Sequence, residues 1–81
     1  MKKRIKKIST RELIKYLGTL GFHIFSQEGS HVKLIQANNI KNNVTIPWRK
    51  ELGQGTIDDV FHHIKHPIAD FYQWLGVRNF N

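Results

Sequence analysis

Cysteine is absent from the 81 residues, so neither a disulfide nor a thiolate-held metal can staple the chain, and the composition fits a reducing, cytoplasmic setting. Long apolar runs are missing as well. Nothing approaches the roughly 20 residues that span a bilayer, and no run of about 7 to 15 apolar residues follows the basic N-terminus, which argues against a signal peptide. Proline occurs only at 47 and 67, where it closes a strand and separates two helices. Acids are scarce in the first half: residues 1–50 hold 11 Lys and Arg against two carboxylates, whereas residues 51–81 hold two against four.

A chain of this length makes one domain (residues 1–81) and buries about 60% of the surface its unfolded form exposes. Its core is small, there is little room for a deep cavity, and a partner could support it. The formal charge of +7 falls to +2 without Lys2, Lys3, Arg4, Lys6 and Lys7. The tail over residues 1–8 is therefore either a phosphate-binding arm or a solvated, disordered end.

Ser9-Thr10-Arg11-Glu12 is a capping box that opens a helix. Leu13, Leu17 and Leu20, flanked by Ile14 and Tyr16, form its apolar stripe, and Gly21 is its stop. Phe22 to Gln27 follows as a strand, with Phe22, Ile24 and Ser26 on one face and His23, Phe25 and Gln27 on the other. A turn at Glu28-Gly29, with or without Ser30, leads into a second strand over His31 to Gln36 and places either Ser26 or Gln27 opposite His31. Ala37-Asn38-Asn39 and Lys41-Asn42-Asn43 mark another turn before a short third strand, Val44 to Ile46, ended by Pro47.

After a loop from Trp48 to Gln54, Thr56 caps the next helix, with Asp58 and Asp59 in its first turn and Ile57, Val60, Phe61 and Ile64 as its apolar stripe. Ile68 to Leu75 forms a short last helix stopped by Gly76. The expected class is α+β: helix, three-stranded antiparallel sheet, helix and short C-terminal helix, with the helices on one face of the sheet.

Gln27-Glu28-Gly29-Ser30-His31 is the stretch that reads as chemistry. It delivers a histidine, the side chain that exchanges protons near neutral pH, onto the first residue of a strand whose period of two turns Lys33 the same way. Gly29 lets a phosphate approach the backbone closely, and Lys33, Arg49 and Lys50 are candidate phosphate clamps. His23 is a remote candidate for a second proton-transfer group. His62 and His66 have the i, i+4 spacing of zinc ligands but no third ligand, and read as a solvated helix end rather than a metal site. Trp48 is placed to stack on a base, cover the sheet edge or meet a partner. Phe71, Tyr72 and Trp74 are too aromatic for open surface and read as core or as interface.

Gly21-Phe22, Gln27 to His31, Ile46-Pro47 and Lys50-Glu51-Leu52-Gly53-Gln54-Gly55-Thr56-Ile57, spread over about residues 9–75, together resemble the HicA toxins of bacterial toxin–antitoxin pairs. The resemblance implies a fold similar to the double-stranded RNA-binding domain and a metal-independent endoribonuclease activity on mRNA without any cofactor. It also implies neutralisation by a HicB-type antitoxin that occludes the basic face, with oligomers formed through that antitoxin. It assigns catalysis to His31 and, with the reading above, RNA and phosphate binding to Gln27, Gly29, Ser30, Lys33, Arg49 and Lys50. Two positions depart from the pattern: Ser26 stands where relatives often carry arginine, and Arg49 where they usually carry histidine. A non-catalytic RNA-binding module of the same fold and a purely protein-binding domain are the alternatives.

Overall fold

Ser9, in extended conformation, accepts a hydrogen bond at its Oγ from the Glu12 N–H at 3.1 Å, so the first helix starts where the capping box puts it. The computed structural model describes residues 7–80, with side chains over 7–76. In order, these form α1 (Thr10–Thr19), β1 (Phe22–Glu28), β2 (His31–Gln36), β3 (Asn39–Pro47), α2 (Gln54–Ile64) and α3 (Ile68–Phe80). The class is α+β, as expected. The strands form one antiparallel sheet in the order β1-β2-β3.

Alternation along the strands divides the sheet into a packed face and a free one. Phe22, Val32, Leu34, Val44 and Ile46 are buried against α1 and α2. α3 closes the core from the side: Phe71 is fully buried, its ring stacks on Phe61 at 5.1 Å and meets Tyr16 at 5.1 Å, and Trp74 meets Tyr16 at 5.2 Å. Each large side chain buried there contributes about 1.5 to 3 kcal/mol. The C-terminal aromatic cluster is therefore core, with Tyr72 and Trp74 partly buried around Phe71. On the other face, among the described residues, no element covers the sheet.

The sheet corrects several expectations. The hairpin loop is Gly29-Ser30, which sets Glu28, and neither Ser26 nor Gln27, opposite His31. Gly29 has φ +59°, a left-handed shape at the first loop position that two-residue hairpins favour and that costs glycine nothing. A bulge between Ile24 and Ser26 adds one residue to β1, so strict alternation fails there. Beyond it Ser26 pairs with Lys33 on the free face, and Gln27 pairs with Val32 on the packed one. β3 begins at Asn39 rather than Val44, because Ala37-Asn38 suffices as a turn. Residues 40–42 form an irregular start, braced by Asn42 Nδ2 donating to Gln36 Oε1 at 3.0 Å.

The helices differ from the sequence reading at two ends. α2 starts at Gln54 with Gly53 as its cap, so Thr56 lies inside the first turn and Asp58 and Asp59 lie beyond it. α3 runs through Gly76 to Phe80 instead of stopping; a glycine inside a helix costs only about 1 kcal/mol and does not by itself end one. Residues 1–6 of the basic tail lie outside the described residues. Lys7 reaches Glu51 at 3.8 Å, an exposed pair of little worth. No helix among the described residues is long and apolar enough to cross a membrane.

Tyr16 shares a 2.7 Å hydrogen bond with His66 Nε2, and His66 lies 3.8 Å from Asp70. Burial, and secondarily the negative charge of Asp70, raise the Tyr16 pKa above its ordinary 10.0. The folded state thus holds this proton more tightly than the unfolded chain. The stabilisation is fully present below pH 10 and is lost as pH rises through the folded pKa. In urea titrations Tyr16→Phe should cost about 1 kcal/mol at neutral pH and should make the alkaline decline in stability shallower than in the parent. An unchanged alkaline limb would contradict this.

Candidate functional site

His31 is exposed at the head of β2, on the free face, between Glu28 of β1 and Pro47 of β3. Directly opposed residues of an antiparallel pair bring their Cβ atoms within about 4.5 to 5.5 Å, so Glu28 and His31 leave the sheet side by side at the turn. Lys33 follows on the same face, opposite Ser26 and Thr45, with its Nζ 5.8 Å from the centre of the exposed Phe25 ring.

A network of main-chain bonds holds the loop after β3 against this turn. The Trp48 N–H donates to the Ser30 carbonyl at 2.6 Å. Fully buried Thr10, at the start of α1, donates from Oγ1 to the Pro47 carbonyl at 2.6 Å and accepts from the Arg49 N–H at 2.8 Å. Its own N–H donates to the Arg49 carbonyl at 3.0 Å, and the Leu52 N–H donates to the Ile8 carbonyl at 2.7 Å. The backbone of Arg49 is fixed on both sides while the Arg49 and Lys50 side chains stay exposed. The β1–β2 turn, the start of α1 and the loop after β3 therefore meet in one place.

Of the residues singled out in the sequence, Gly29, Ser30, His31 and Lys33 share the turn and the free face, and the Arg49–Lys50 backbone is drawn to the adjoining end of β3. Gln27 is exposed but on the packed side of the edge strand, away from His31, because of the bulge. His23 is on the free face opposite Ile35, four residues of β2 from His31, or about 13 Å; that is too far to share a proton with it. His66 is not a solvated helix end: it lies past the end of α2, half-buried and bonded to Tyr16. Among the described residues no three His, Asp or Glu gather as a metal site.

Two residues escaped sequence reading. Glu28 was hidden by the register, which the glycine-first loop could have revealed. Thr10 was visible only as the second residue of a capping box, and nothing in the sequence marks it as a clamp on residues 47–49. His31, Arg49 and Lys50 are exposed and Lys33 is half-buried, so the site lies on open surface. An open groove between β3 and α2, lined in part by Asn43, Thr45, Asp59 and His63, holds none of these residues. What the arrangement can do is present a proton-transfer group and nearby cations to a substrate that lies across a surface.

The model of the family described as the HicA toxin of bacterial toxin-antitoxin matches residues 10–66. No curated protein and no solved structure matches the chain.

Thr10→Val keeps the shape of the clamp but leaves the Pro47 carbonyl and the Arg49 N–H without partners, and should lower unfolding free energy by about 1 to 3 kcal/mol in urea titrations. A loss below a few tenths would remove Thr10 from its role. Gly29→Ala, with open space around the added carbon, should cost about 1 kcal/mol through backbone strain alone, and Gly29→Asn less, because asparagine tolerates the left-handed region.

Proposed function

Because the chain belongs to the HicA toxin family of bacterial toxin–antitoxin systems, and so has an antitoxin partner in general, we propose that it is a metal-independent endoribonuclease that cleaves mRNA in the cytoplasm with His31 in proton transfer. The observation that carries this reading is the position of His31: exposed, on the uncovered face of the sheet, in line with Lys33 and opposite Glu28.

Without a metal, RNA is cleaved through its own ribose. The 2′-hydroxyl loses a proton and attacks the adjacent phosphorus, the bond to the 5′-oxygen breaks, and that oxygen takes up a proton, leaving a 2′,3′-cyclic phosphate and a 5′-hydroxyl. A histidine, which exchanges protons near neutral pH, serves as base or acid in such a sequence. Lys33, Arg49 and Lys50 balance the charge that builds on the phosphate, and the glycine and serine of the turn let it approach the backbone. Arg49 cannot take the proton-exchanging role of a histidine, since a guanidinium stays protonated, but it grips a phosphate better. The second proton then falls to Glu28, which can also orient the imidazole, as carboxylates do beside catalytic histidines. Gln27, on the far side of the edge strand, serves RNA only where the strand wraps around β1.

Neutralisation follows from the same geometry. A HicB-type antitoxin that presents carboxylates or a plug to the free face would cover His31 and Lys33 together, and oligomers would form through it. The second reading, a non-catalytic RNA-binding module, is favoured by one observation: Arg49 stands where a proton-exchanging histidine is expected.

Induced expression of the parent and of His31→Ala separates the two. The parent should arrest growth with loss of mRNA, while the variant should be harmless, with cleavage of purified RNA down by about 10²- to 10⁴-fold. Salt-sensitive RNA binding without cleavage in both proteins would establish the module instead.

A further inference from the structure

The free face carries an exposed aromatic ring. Phe25 is 61% exposed; it is the residue that the bulge adds to β1, and the Lys33 Nζ stands over one face of its ring, 5.8 Å from the centre, leaving the other face for a base. Lys33 in turn is two residues from His31 on the same face, or about 6.7 Å along β2. An exposed ring, a flexible cation and a proton-transfer group thus stand in a row on a surface that, among the described residues, no helix covers.

From this row we infer that the free face is a platform for single-stranded RNA: one base stacks on Phe25, the Lys33 ammonium takes the neighbouring phosphate, and the strand continues so that its reacting phosphodiester lies at His31. The last step rests on the ribonuclease reading; the platform itself does not. Two features name the occupant. The cations near this face are Lys33 on it and Arg49 and Lys50 at the adjoining end of β3, against the single carboxylate of Glu28, a balance that fits a polyanion. The flat ring fits an unpaired base, because a duplex hides its base faces in its own stack and offers a shape-readable backbone instead. Continuity with His31 sets the line along which the strand lies. The bulge has a purpose in this account: without it, Phe25 and Ser26 would not both stand against Lys33.

The test uses the full chain carrying His31→Ala, which leaves RNA intact, with a fluorescein-labelled unstructured single-stranded RNA and the same RNA annealed to its complement, read by anisotropy. Adding Phe25→Ala should weaken single-strand binding roughly tenfold, Phe25→Tyr should retain it, and duplex binding should not respond to either. Adding Lys33→Gln should make the dependence of log affinity on log salt shallower by ~0.7, the loss of one phosphate contact. Phe25 is exposed, so these variants should fold, and circular dichroism checks it. Equal single-strand affinity for Phe25→Ala and its parent would overturn the platform, as would an equal loss on the duplex or a loss seen only toward an acidic antitoxin. Cleavage of the same RNA by the His31-intact protein is measured in parallel. Cleavage without any effect of Phe25 on binding would overturn the platform alone, whereas Phe25-dependent binding without cleavage would support the platform and overturn the ribonuclease reading.

Discussion

The hydroxyl of Thr10 sets the geometry on which the rest depends. Fully buried at the start of α1, it donates to the Pro47 carbonyl and accepts from the Arg49 N–H. It thereby ties the end of β3 to the first turn of the first helix across 37 and 39 residues of chain. Buried main-chain groups left without partners are costly, and each one satisfied fixes a direction as well as an energy. Through the Trp48 N–H and the Ser30 carbonyl the same tie reaches the turn before His31. An open surface is in this way tied to the start of α1 by named hydrogen bonds.

A three-stranded sheet with helices on one side leaves the other side free, and this division separates the core from the face that carries His31 and Lys33. Val32 and Leu34 point into the core, while His31 and Lys33, their neighbours in sequence, point out of it. One slip of register would exchange the two sets. The bulge at Phe25 makes such an exchange locally in β1: it moves Ser26 and Glu28 to the free face and Gln27 away from it.

What was legible in the sequence was what local chemistry decides. The capping box at Ser9, the apolar stripes of α1 and α2, the helix–strand order and the shared face of His31 and Lys33 all rest on short-range periods or on single side-chain bonds. What was not legible depended on partners distant in the chain. The bulge, the two-residue loop that pairs Glu28 with His31, the early start of β3 at Asn39 and the clamp by Thr10 are settled by cross-strand pairing and by contacts tens of residues away. Thr56 looked like a cap because its type suits one, yet Gly53 took the position without any side-chain bond. Phe71, ambiguous between core and interface, was decided by the rings of Tyr16 and Phe61 packed against it. The family resemblance read from the turn and from the Lys50 to Ile57 run is shown by the family match over residues 10–66.

The central claim is that His31, on the free face, drives cleavage by the ribose's own 2′-hydroxyl without a metal. The direct measurement is the chemistry of the RNA ends produced by the purified protein in excess EDTA. Fragments bearing 2′,3′-cyclic phosphates and 5′-hydroxyls, formed at an undiminished rate, are the predicted result. Fragments with 5′-phosphates, or cleavage that EDTA abolishes, would contradict it.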